Sequence, residues 1–147
     1  KAIGQEINFV QDNQSFSKKG VLRGLHYQKG EHAQAKLISV QQGRIQDVVV
    51  DLRKNSPTFG EHLSIELSSG NRKQLFVPRG FAHGYLTLSN TVEVFYKCDN
   101  FYYKDSEGGI HYDDAELSIG WGLSNEEIRV SKKDEELPFF KNLKFAL

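Results

Sequence analysis

The sequence predicts an all-β fold, a sandwich or barrel of short strands, on three observations. Aromatic and β-branched residues collect in short runs parted by Gly, Asn, Asp and Ser, the signature of many strands rather than of amphipathic helices. The stretch Ile45-Gln46-Asp47-Val48-Val49-Val50-Asp51 contains an unbroken apolar triplet, as expected of a strand covered on both faces. Such strands belong in a closed or double-layered architecture. The third observation is the weakness of helical signals, which are confined to two short segments at 124–127 and 131–136.

Taken in order, strands are expected at 36–40, 44–52, 62–67, 74–77, 84–88 and 92–96. Gln41-Gln42-Gly43, between the first two, reads as a hairpin turn. The tail, 137–147, keeps Pro138, Phe139, Phe140 and Phe145 and is expected to pack back on the barrel. No repeat, low-complexity stretch or linker interrupts the chain, so 1–147 reads as a single domain.

A chain of 147 residues is long enough to bury roughly two-thirds of its unfolded surface around one core. Nineteen basic residues balance nineteen acidic ones, so no overall field draws nucleic acid or an anionic membrane, and an anionic ligand has to be held locally. One cysteine, Cys98, excludes an intrachain disulfide framework and fits a reducing cytoplasm. No run approaches the ~20 apolar residues of a membrane helix, and Lys1 to Phe9 lack a signal peptide's apolar stretch. The absence of methionine reads as part of a longer natural product.

Two segments place a histidine among glycines and polar groups: Gly20-Val21-Leu22-Arg23-Gly24-Leu25-His26-Tyr27-Gln28, and Pro78-Arg79-Gly80-Phe81-Ala82-His83-Gly84. They resemble the two half-motifs of cupin barrels, the second in full. Gln28 stands where the metal-binding version has a second histidine. A cupin metal site ordinarily takes three histidines and a glutamate. His26 and His83, even with Glu31 as the carboxylate, make a weak set. The alternative is proton chemistry, for which a histidine backed by a carboxylate is suited near neutral pH.

From about Phe9 to Phe139 the chain resembles the dTDP-4-dehydrorhamnose 3,5-epimerase family. The resemblance rests on Gln11-Asp12-Asn13, Leu22 to Gln28, Ala35-Lys36-Leu37, Ser56-Pro57-Thr58-Phe59-Gly60, Gly80 to Gly84, Tyr96-Lys97-Cys98, Glu107-Gly108-Gly109-Ile110 and Ser131-Lys132-Lys133-Asp134, in the family's order. It implies a cupin-type jelly-roll barrel and a cofactor-free inversion at C3 and C5 of a 4-keto-6-deoxy sugar carried on dTDP, in rhamnose biosynthesis. By family position His26 is the base, Asp134 its partner, Tyr96 the opposing acid and Lys36 the cation that stabilises the enolate oxygen. The same resemblance puts His83 and Gln28 in the pocket and Arg23, Gln11 and Asn13 near the nucleotide diphosphate, where an arginine fork suits paired oxygens. Tyr85 and Tyr102 match aromatic positions of the pocket or nucleotide site. A homodimer is expected on the same grounds.

Read without the family, His26 and His83 are as easily structural, Tyr96 a core tyrosine, Tyr102 and Tyr103 rivals to it, and Asp134 part of a solvated charged run. His32, His62 and His111 read as surface or edge residues. The family normally carries a longer segment ahead of the Gln11 block, whose residues reach the neighbouring subunit's site; the expectation is that this sequence lacks it. Three functions stay open: the double epimerase with its single-centre variants, a metal-dependent cupin enzyme, and a non-catalytic sugar-nucleotide binder.

Overall fold

The computed structural model describes residues 3, 4 and 6–143. Ten strands run in the order β1 (Gln11–Lys18), β2 (Val21–Gln28), β3 (Lys36–Gln42), β4 (Arg44–Asp51), β5 (His62–Ser68), β6 (Gln74–Val77), β7 (Phe81–Thr87), β8 (Thr91–Cys98), β9 (Glu107–Gly109) and β10 (Arg129–Val130). A one-turn helix, α1 (Lys132–Glu135), follows. The strands form two sheets, one ordered β1-β8-β3-β6 and the other β10-β2-β7-β4-β5, with β9 paired to β2. This is the predicted all-β jelly roll.

Between the sheets lie Ile38, Val40, Ile45, Val49, Leu67, Val77, Val92 and Val94. Each such side chain contributes roughly 1.5–3 kcal/mol when fully removed from water. The triplet behaves as its composition requires. Val49 points into this core, whereas Val48 and Val50 face the outside of the second sheet. There Leu25, Leu52, Ala82, Ile110 and Leu117 cover them, with Trp121, Phe140 and Leu143 packed alongside. The tail therefore packs back as expected through residue 143; Phe145 lies outside the described residues.

Two strands escape the apolar pattern. In β1 every second residue turns inward, but those residues are Gln11, Asn13, Ser15 and Ser17, so its period-2 signal is polar. In β2 the alternation breaks at Gly24-Leu25, where the register against β7 shifts between Arg23 and His26. Gly24 takes a φ of 121°, and a Cβ there would lie 2.7 Å from Gly84 Cα and 2.8 Å from His83 O. Only glycine allows the two strands to approach this closely.

Two local expectations are corrected. Gln41-Gln42-Gly43 is no hairpin: β3 pairs with β6 and β8, β4 with β5 and β7, so the turn carries the chain from one sheet to the other. Gly43 (φ 80°) makes that corner because a side chain would meet Thr91 O at 2.2 Å. The segment at 124–127 is a turn rather than a helix. The Glu127 carboxylate accepts from the Ser124 hydroxyl and N–H as in a helix capping box, but the chain leaves the turn at once to pair as β10, so no helix propagates. The second segment does form α1, with Ser131 as its N-cap.

Candidate active site

A cavity of ≈ 140 Å³ opens between the sheets and is lined by Gln11, Asn13, His26, Gln28, Lys36, Tyr96 and Tyr102 of the predicted set, together with Tyr27, Gln34, Cys98 and Glu107. His26 comes from β2 in one sheet. Tyr96 and Lys36 come from adjacent strands β8 and β3 of the facing sheet.

Behind His26 stands Asp134, 108 positions later in the chain. Its Oδ1 lies 2.6 Å from His26 Nε2, and its Oδ2 accepts from the Gly24 N–H at 3.1 Å. The β2 bulge makes this possible, because it turns the Gly24 N–H out of the ladder and toward the carboxylate. Burial works to raise the Asp134 pKa. The hydrogen bond and charge of His26, the Gly24 N–H and Lys133 outweigh it and hold the group below its usual value. An ionised carboxylate only accepts, so His26 Nε2 carries the hydrogen and Nδ1 is the basic nitrogen.

Burial, helped by the nearby Cys98 and Tyr85 and opposed by Arg23, raises the Tyr96 pKa and keeps its hydroxyl protonated. Lys36 lies 5.9 Å above the Tyr96 ring. Burial lowers its pKa, against the pull of Cys98, Asp47 and Glu107. Gln11 and Gln28 act partly as scaffolding: their Oε1 atoms accept from the Tyr102 and Tyr103 N–H groups at 2.9 and 3.0 Å, pinning that loop to the cavity. Gln11 also donates to Asn13.

Besides Asp134, which backs His26 from behind, three predicted residues sit off the cavity wall. Arg23 is exposed, donating to Ser17 Oγ and Phe16 O, while its charge still reaches Tyr96. Tyr85 is buried, its hydroxyl sharing a 2.8 Å bond with Ser15. His83 forms a second buried pair with Asp47 Oδ1 at 2.8 Å, and Asp47 Oδ2 has no hydrogen-bond partner among the described residues. Tyr103, the rival acid, stacks on His32 at 4.3 Å.

Sequence reasoning passed over Glu107, Tyr27, Gln34, Cys98 and Asp47. A signal existed for two of them. Asp47 is a carboxylate in the interior of an apolar strand, and Glu107 precedes a Gly-Gly pair that a neighbour approaches closely: a Cβ on Gly108 would touch the Tyr27 ring at 2.5 Å. Glu31 lies in the turn after β2 with its side chain 89% exposed, against His32. Among the described residues no three His, Cys, Asp or Glu side chains converge, so the metal-enzyme alternative finds no donor set there. A wider cleft of ≈ 670 Å³ borders Arg53, Ser56, Thr58 and Arg79. Its groups are already engaged: Arg53, Ser56 and Thr58 converge on Asp51, and Arg79 on Asp99.

A jelly roll that sets a carboxylate-backed histidine across from a protonated tyrosine, with a lysine beside it, is an acid–base barrel of the cupin type. The model of the dTDP-4-dehydrorhamnose 3,5-epimerase family matches residues 1–142, and the chain belongs to that family. It is 49% identical over 136 residues to the Salmonella typhimurium dTDP-4-dehydrorhamnose 3,5-epimerase, covering 92% of this chain and 74% of that protein. The crystal structure of the Elizabethkingia anophelis dTDP-4-dehydrorhamnose 3,5-epimerase superposes with a TM-score of 0.92 at 54% identity, over 94% of this chain and 75% of that one. A Legionella pneumophila dTDP-6-deoxy-D-glucose-3,5-epimerase, solved with dTDP-4-keto-L-rhamnose, gives 0.92 at 45% identity over 97% and 74%.

Proposed function

We propose that this chain inverts C3 and C5 of dTDP-4-keto-6-deoxyglucose to give dTDP-4-keto-L-rhamnose, without a cofactor. The 4-ketone acidifies the hydrogens on both neighbouring carbons. His26 Nδ1 removes a proton from one face of the ring, and the imidazolium so formed is stabilised by Asp134. Lys36 stabilises the negative charge that develops on the ketone oxygen. Tyr96, on the facing sheet, returns a proton from the other face. The observation that carries this reading is the placement of a carboxylate-backed base and a protonated acid on opposite sheets around one cavity.

The cavity takes the sugar; Arg23, Gln11, Asn13 and Tyr102 mark the path of the nucleotide diphosphate outward from it. We further propose a homodimer built on the open edge of β1, where Phe16 is exposed, and a cytoplasmic setting, in keeping with the unpaired Cys98.

Incubation with dTDP-4-keto-6-deoxyglucose in deuterated buffer tests the reading. Deuterium is expected at both C3 and C5. Label at one carbon only assigns a single-centre epimerase, and label at neither, in folded protein, defeats the proposal.

A further inference from the structure

Helix α1 cannot hold itself in place, because four residues do not offset the cost of nucleating a helical turn in water. Yet the carboxylate it carries has to stay within about 0.5 Å of its working position for the dyad to function. On its inner side the turn is secured by the dyad, the Gly24 N–H and the Ser131 cap. On its outer side the tie is an ion pair. Lys133 Nζ, one residue before Asp134, lies 2.6 Å from Glu107 Oε2, and the Tyr102 hydroxyl donates to the same oxygen at 3.0 Å.

Glu107 is no ordinary surface acid. Its side chain is only 18% exposed, it lines the cavity, and its strand runs beside β2 with Glu107 opposite Gln28 and Gly109 opposite His26. The pair therefore spans from the strand alongside the base to the residue next to the base's carboxylate. A surface ion pair with both ends loose contributes about 0–1 kcal/mol and leaves chemistry untouched. Here one end is held by β9 and by Tyr102.

We propose that the Glu107–Lys133 pair, completed by the Tyr102 hydroxyl, is a positioning device that holds Asp134 against His26. Glu107 and Lys133 are positioning residues, acting through the dyad rather than on the sugar. The inference rests on the reading of His26 as the base. Removing the Lys133 charge leaves both dyad residues intact and frees the turn to shift, and shifts near 1 Å cost on the order of 100-fold in well-aligned sites.

Lys133→Met keeps the methylene stem and removes the charge; Lys133→Arg restores it. The Lys133 side chain is 61% exposed, so both variants fold, which a thermal melt verifies. Two readouts are taken: kcat and KM for the epimerisation, and the downfield proton resonance shared by His26 and Asp134, assigned by its loss in His26→Asn. Lys133→Met is expected to lower kcat about tenfold with KM within about twofold, and to broaden the resonance, while Lys133→Arg recovers both. Unchanged kcat with an unchanged resonance overturns the proposal, as does a change confined to KM. If the substrate reading itself fails, wild-type turnover is absent, but the resonance still reports whether Lys133 holds the dyad.

Discussion

The depressed pKa of Asp134 ties catalysis and stability to one carboxylate. Because its folded value lies below the unfolded one, the group stabilises the fold fully above the ordinary carboxylate value, about 3.9, and loses that contribution as pH falls through the lower folded value. Asp134→Asn keeps the shape but presents an amide that donates to His26 Nε2, reversing the tautomer and turning the Nδ1 lone pair into an N–H. We expect kcat to fall by on the order of 10²- to 10⁴-fold with KM little altered, and the extra acid sensitivity of the wild-type fold to disappear. Steady-state kinetics and urea melts at pH 7 and pH 3 check this; a variant with near wild-type kcat would remove the dyad from the mechanism. At this scale the sequence was informative where local pattern and chemistry coincide. His26 stood out among glycines and beside Arg23, but no local feature joins it to Asp134 across 108 positions. Only the match to a known family did that, because the contact is made by tertiary folding alone.

The strands that build the cavity were the hardest elements to read, and the reason is functional. Hydrophobic periodicity reports which face of a strand meets apolar core, and β1 turns Gln11, Asn13, Ser15 and Ser17 inward to meet a polar site instead. Strand β2 hides its pattern behind a bulge whose distortion aims His26 and releases the Gly24 N–H to Asp134. By contrast β4, packed on both faces, announced itself through Val48-Val49-Val50. The bulge makes a test of its own. Gly24→Ala places a Cβ against the backbone of β7 at a φ of 121°, adding about 1–3 kcal/mol of backbone strain to about 1–3 kcal/mol of overpacking. The expected result is a markedly lower melting temperature and loss of exchange at C3 and C5, because relief of the clash displaces both partners of the dyad. A variant as stable and as active as the wild type would show that the close approach of β2 and β7 is dispensable.

At the scale of the whole molecule, two sheets leave four edges, and they are not equally protected. On one sheet β6 is only four residues long, and on the other β10 has two and β5 has seven. Strand β1 runs eight residues with its outer edge open, and its outward face carries Phe16 at 55% exposure between Asp12, Gln14 and Lys18. An open edge of that length is the natural place for a second copy to pair, and a two-fold axis there would bring each Phe16 near its counterpart. The same edge adjoins the site, since Phe16 O accepts from Arg23 and Ser17 Oγ holds its Nε. Phe16→Lys therefore sets like charges against each other across the axis while leaving the cavity residues in place. Sedimentation velocity is expected to show the wild type as a dimer and the variant as a monomer at the same concentration, with KM raised more than kcat is lowered, because the edge supports Arg23 rather than the dyad. A Phe16→Lys protein that remains a dimer would move the interface to another edge of the barrel.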